Sequence, residues 1–261
     1  MNRVMVAVLA VASLAVLAGC AGQDMLNGPY TTPALMDRGI VYILPGVFGV
    51  QHHYLNIRRG LQGSGIQCAV KIHPWGCRVP GLCGVVNETD TVDDRSWGQR
   101  IALDIQAYQK QYPGRPVYLV GQSAGCGISV FAAEAMAKAS APPVDGLILL
   151  DASLSADYDL STAMKQSRKG IVSFYNLDDV RMLKTGTEIF GNVDGGHGNS
   201  AGRLGFSRGY PKLYQVRVTQ DMVDRFADPH YADTSAAFTS RYIAPWIIDN
   251  VWPALAMAER Q

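Results

Sequence analysis

Three stretches of the chain match the pattern Gly-x-Ser-x-Gly: Gly121-Gln122-Ser123-Ala124-Gly125, Gly198-Asn199-Ser200-Ala201-Gly202 and Gly205-Phe206-Ser207-Arg208-Gly209. A serine hydroxyl becomes a nucleophile in this setting when a sharp strand-to-helix turn presents its Oγ above a sheet. Small flanking residues let the incoming strand and the outgoing helix approach one another. Glycine supplies 27 of the 261 residues, so the pattern alone discriminates poorly and its surroundings must decide. Ser123 follows the apolar run Val117-Tyr118-Leu119-Val120 and precedes the helix-forming Phe131-Ala132-Ala133-Glu134-Ala135-Met136. Ser200 and Ser207 sit in a glycine-rich stretch, 191–209, with no apolar run leading in. Ser123 is therefore the expected nucleophile, and the other two read as loop serines.

An elbow of this kind needs a sheet beneath it. Ile40 to Leu44, ending at Pro45-Gly46, reads as a buried strand, and Gln67 to Ile72 as a second. Pro116 to Val120, Val144 to Leu150, Gly170 to Tyr175 and Lys212 to Thr219 supply four more. Between them fall helical patterns at about His52 to Leu61, Asp93 to Tyr112 (apolar at Trp97, Ile101, Ile105 and Tyr108) and Gly125 to Lys138. Thr234 to Asn250 reads as a last helix, interrupted or kinked near Pro245. Strands alternating with helices predict an α/β fold: a mostly parallel sheet covered by helices on both faces, in one domain over residues 38–261. The stretch 191–209 lacks the Gly-Lys-Ser/Thr ending of a phosphate loop. It reads either as a lid or rim above the site or as a disordered loop.

With these elements in this order, the chain resembles the α/β-hydrolase superfamily from about Ile40 onward, as a minimal core without the two antiparallel strands common at that family's N-terminus. The resemblance implies an oxyanion hole. One N–H would come from Val47, within Pro45-Gly46-Val47-Phe48-Gly49, with Phe48 as the alternative, and the other from Ala124. It also implies a general base between the last strand and the last helix. Five histidines compete, His52, His53, His73, His197 and His230, and only His230 follows the Lys212 to Thr219 strand. The family's acid commonly follows the strand ending here at Tyr175, three positions after a turn residue, which points to Asn176 and Asp179. Asp178, Asp151 and Asp194 are the rivals. The implied activity is hydrolysis of carboxylic esters, esterase- or lipase-like, with no cofactor. No His, Cys and Asp set shows a metal-ligand spacing. A second reading, from a different class, is a non-catalytic binding or scaffold module on the same fold.

The N-terminus carries an address. Arg3 precedes an apolar run, Val4 to Leu17, shorter than the ~20 residues that span a bilayer. The run ends in Leu17-Ala18-Gly19-Cys20, which resembles the lipobox of bacterial lipoproteins. That resemblance implies a signal peptide over 1–19, lipid on Cys20, a tether over 20–37 and an extracytoplasmic place on a bacterial membrane. Such a setting permits disulfides. Among Cys68, Cys77, Cys83 and Cys126, the pair Cys77–Cys83 is the simplest local staple, and Cys126 reads as a buried free thiol. Lys and Arg total 23 against 22 for Asp and Glu, a net charge of +1 that argues against nucleic-acid partners. The expected partners are a small-molecule or lipid ester and, through the anchor, a membrane.

Overall fold

The structure, a computed structural model, describes residues 26–47, 52–76, 91–248 and 251–252. Its principal elements are β1 (Ile40–Leu44), α1 (His52–Gly63), β2 (Ala69–Ile72), α2 (Thr91–Gln111), β3 (Val117–Gln122), α3 (Ala124–Lys138), β4 (Gly146–Leu150), β5 (Ile171–Tyr175) and β6 (Leu213–Arg217). The six strands form one sheet in the order β2-β1-β3-β4-β5-β6, and every pairing is parallel. The central strands β1, β3 and β4 are buried along their whole length. This explains why they read as continuous apolar runs rather than as alternating ones.

Strand periodicity divides the core between two faces. Ile40, Tyr42, Leu44, Leu119, Leu147 and Leu149 face one side, against Ile101 and Ile105 of α2 and Ile128 and Met136 of α3. Val41, Ile43, Val120, Ile148 and Leu150 face the other, against Tyr54, Ile57 and Leu61 of α1 and Phe238, Trp246 and Trp252 of the C-terminal segment. β1 connects to β2 on one side while β3 lies on its other side. The strand order therefore reverses at β1 and β3, and the crevice beyond their carboxyl ends is where such sheets bind ligands.

One expectation changes, for the part of the 20–37 tether that the structure describes: Asn27 donates from Nδ2 to the Ile72 carbonyl and accepts the Ile72 amide, both at 2.9 Å, and Arg58 donates to the Leu26 carbonyl. Residues 26–37 thus belong to the folded unit. The stretch 191–209, expected as a lid or rim or as a disordered loop, is hydrogen-bonded just beyond the carboxyl ends of β4 and β5, with Val193 donating to Ser153, Ala201 to Leu154, Gly202 to Ala152, and Asn176 to Gly202. The C-terminal helix is interrupted near Pro245, as expected, into Ala236–Phe238, a wide π-turn over Thr239–Ile243, and Ala244–Ile248. Pro245 has no N–H to continue the ladder, and the wide turn directly before its segment absorbs the gap. Among the described residues, no helix is long and apolar enough to cross a membrane.

Candidate active site

Ser123 lies between β3 and α3 with φ 53° and ψ −124°, a conformation that L-residues seldom adopt. The flanking glycines are required by contact. A Cβ on Gly125 would fall 2.1 Å from the Leu44 carbonyl oxygen, and one on Gly121 2.6 Å from the Gly125 oxygen. α3 therefore packs directly on the end of β1. The Ser123 amide donates to the Leu150 carbonyl, and its own carbonyl accepts from Cys126 and Ser153. The other two candidate serines are tied into structure: Ser200 is fully buried and donates Oγ to the Leu183 carbonyl, and Ser207 donates Oγ to the Ala156 carbonyl.

His230 and Asp179 come together although 51 residues separate them. Their Nδ1 and Oδ2 atoms lie 2.5 Å apart, and both side chains are 2% exposed. The turn after β5 builds this contact. The Asn176 side chain accepts the Asp178 amide, its carbonyl accepts the Asp179 amide, and its Nδ2 donates to the carbonyl of Pro229, one residue before His230. Asp179 Oδ1 accepts the Met182 amide, which leaves Oδ2 for the imidazole. An Nδ1–H donated to the carboxylate leaves Nε2 as the acceptor nitrogen. That atom faces the elbow, 3.4 Å from Nε2 of Gln122, the residue preceding Ser123.

Gln122 and Tyr54 organise the site, and neither is among the candidates that the sequence offers. Gln122 Nε2 donates to the His230 carbonyl, and its Oε1 accepts from the Tyr54 hydroxyl. The same hydroxyl accepts the Gly46 amide at 2.8 Å. Burial raises the Tyr54 pKa, so its O–H remains available to donate. This chain of bonds links the loop after β1, the elbow and the histidine segment. Trp75 adds a further anchor by donating from Nε1 to the Pro45 carbonyl. The loop lies against the nucleophile: a Cβ on Gly46 would sit 3.2 Å from Ser123 Cβ. The Gly46 amide is engaged by Tyr54, and Val47 is the next residue of this loop. Ala124 opens α3, where first-turn N–H groups have no partner within the helix. A signal for Gln122 existed in its place inside the motif, whereas Tyr54 carried none beyond its helix position.

The remaining candidates fall elsewhere. Asp178 is exposed, and Asp194 accepts the Ser155 amide. His73 follows β2 and faces Asp104 at 3.5 Å. His197 is exposed, with Nδ1 near the Glu188 carbonyl. His53 stacks on Tyr231, centroids 4.0 Å apart, and His52 lies against it at 3.9 Å; burial lowers the His53 pKa. Cys126 is a buried free thiol that donates to the Leu150 carbonyl, with its pKa pushed well up by burial. Phe48, Cys20, Cys77 and Cys83 lie outside the described residues. Asp151, the rival from the end of β4, is fully buried, and its carboxylate lies within 4.8 Å of both the Asp179 carboxylate and a His230 ring nitrogen. This grouping of ligand-type side chains was invisible in sequence spacing.

The sequence matches no family model and no curated protein. Solved structures do resemble the fold. A poly(3-hydroxybutyrate) depolymerase, LpqC, from Bordetella parapertussis gives a TM-score of 0.51 at 12% identity, over 88% of this chain and 84% of that one. A candidate esterase from Staphylococcus aureus gives 0.50 at 11% identity, over 85% and 78%. Est1E from Butyrivibrio proteoclasticus, solved with ferulic acid bound, gives 0.48 at 10%, over 82% and 89%. The fold is that of the α/β-hydrolases, with helices packed around an open sheet of six parallel strands.

Proposed function

We propose that the protein is a serine hydrolase of carboxylic esters, esterase- or lipase-like, with Ser123 as nucleophile, His230 as general base and Asp179 as the acid that orients it. The observation that carries this reading is the buried 2.5 Å contact between His230 Nδ1 and Asp179 Oδ2. It fixes the tautomer in which Nε2 accepts the serine proton, and it stabilises the imidazolium that forms. Ser123 Oγ attacks the ester carbonyl as its proton passes to Nε2. The amides of Val47 and Ala124 receive the developing oxyanion. The imidazolium then protonates the leaving alcohol, and water completes deacylation by the same route. No step needs a cofactor. The likeness to a polyester depolymerase and a candidate esterase agrees with ester chemistry but contributes the fold alone.

A serine-directed fluorophosphonate probe tests this reading. Wild type is expected to label and Ser123→Ala to remain unlabelled, with Ser200→Ala and Ser207→Ala labelling as wild type does. Labelling that survives Ser123→Ala would remove the assignment. A folded wild type that neither labels nor turns over any ester would favour a binding or scaffold role.

The same proposal places the enzyme outside the cytoplasm, anchored to a bacterial membrane, on its periplasmic side or at the cell surface, by lipid on Cys20. Support comes from Leu17-Ala18-Gly19-Cys20 after an apolar run. Mass spectrometry of natively processed protein should find an acylated N-terminal cysteine, with the protein in the membrane fraction. A lipid-free chain cut elsewhere would contradict this.

A further inference from the structure

The surroundings of His230 hold more carboxyl groups than the proposed relay uses. Asp151 leaves β4 with φ 48° and is fully buried, and Asp233 is 1% exposed in the tight turn Ala232–Thr234, three residues after His230. None of their four carboxylate oxygens makes a hydrogen bond of normal geometry with another described residue's donor; beside Asp233 there is only its own backbone amide. Two buried carboxylates in that state would be severely destabilising. The two groups lie within hydrogen-bonding reach of each other, yet two ionised carboxylates can only accept. One proton between them supplies an O–H···O⁻ bond and removes one of the two buried charges.

We infer that Asp151 and Asp233 share this proton and serve as positioning residues for His230, as a second acid layer behind Asp179. The bridge ties the carboxyl end of β4 to the segment that carries the base. The strained backbone of Asp151 is held from below: a Cβ on Gly202 would fall 2.2 Å from the Asp151 carbonyl carbon. The facing groups come from every neighbouring element. Asp179 comes from the turn after β5, His230 and Asp228 from the segment after β6, and the Cys126 thiol from α3. Burial and then the neighbouring carboxylates push Asp151 upward; burial also pushes Asp233 up, to about 7, against the opposing pull of His230. The shared proton stays with the pair during turnover, since the serine proton travels to Nε2. At alkaline pH its loss opens the bridge and adds a second negative charge beside Asp179.

The proposal rests on the reading of His230 as base, and the test separates the two. The full chain carrying ¹³C-labelled histidine is titrated by NMR, and kcat/KM against a chromogenic ester is measured over the same range, for wild type, Asp233→Asn and Asp233→Leu. Wild-type His230 is expected to shift in two steps, the second with loss of the shared proton, and kcat/KM to fall along a matching alkaline limb. Asp233→Asn keeps a hydrogen-bond donor in the bridge, so the second step disappears and the alkaline limb moves up by about one pH unit or more. Asp233→Leu breaks the bridge and lowers kcat by about tenfold or more, with KM nearly constant. A one-step wild-type titration, or an Asp233→Asn profile superimposed on that of wild type, would overturn the inference. A two-step titration in a protein that hydrolyses no ester would support the pair and remove the hydrolase reading.

Discussion

At the scale of single residues, the site turns on which carboxyl group faces Nδ1 of His230. Asp179 does so through Oδ2, while its Oδ1 is occupied by the Met182 amide. An asparagine here can keep the Met182 contact through its carbonyl, but it then turns an N–H toward Nδ1. The imidazole proton is forced onto Nε2, where the serine proton must arrive. Asp179→Asn is therefore expected to lower kcat by ~10⁴ with the fold intact by circular dichroism. Asp178→Asn, at an exposed side chain whose turn contact runs through the backbone amide, is expected to stay within about twofold of wild type. The reverse ranking would hand the role to Asp178. Ser123, Asp179 and His230 could each be singled out because chain order and adjacent strand ends are local signals. Tyr54 and Asp233 act through contacts made only when distant segments meet, and no spacing announces them.

At the scale of elements, the glycines of the elbow decide how closely α3 sits on β1. The Leu44 and Pro45 carbonyl oxygens would lie 2.1 and 2.5 Å from a Cβ on Gly125. Both are backbone atoms and cannot rotate aside. Gly125→Ala is expected to destabilise the protein by about 2–4 kcal/mol, read as a fall in denaturation midpoint at constant m. Gly63, the last residue of α1, has open space where a Cβ would go, and Gly63→Ala should be neutral or stabilising by up to about 1 kcal/mol. Equal effects at the two positions would show that helix propensity, not the close approach, governs Gly125. β1, β3, β4 and β5 were legible because burial on both faces writes an apolar run into each, and β6, half-buried at the sheet edge, by the alternation of Tyr214, Val216 and Val218. The first residues of the strands were not, since Val144 and Gln67 continue the apolar or polar pattern before pairing begins. The 191–209 stretch looked like a free loop because its anchoring is backbone hydrogen bonding to residues 152–154, which leaves no mark on side-chain pattern.

At the scale of the whole molecule, buried ionisable groups couple stability to pH. Asp151 and Asp233 are raised in the fold above their unfolded values of ~3.9. Such a group favours the folded state fully below its unfolded pKa, and the benefit is lost as pH rises through the folded one, here about 7 for Asp233. His53 and His73, lowered by burial, act in the opposite sense. They weaken the fold at low pH, and stability recovers as pH rises toward the unfolded histidine value of ~6.5. The wild-type Tm curve is a sum of these slopes, so the difference between wild type and Asp233→Asn isolates the carboxyl pair. Asparagine cannot ionise, and its amide can donate to Asp151. The variant should therefore gain on wild type as pH rises from ~5 to ~8, by several degrees in Tm, with little change in the difference below ~4. Scanning calorimetry across that range gives the comparison directly. A difference that stays flat from ~5 to ~8 would mean that Asp233 is already ionised in the fold, with its charge balanced by a donor outside the described residues.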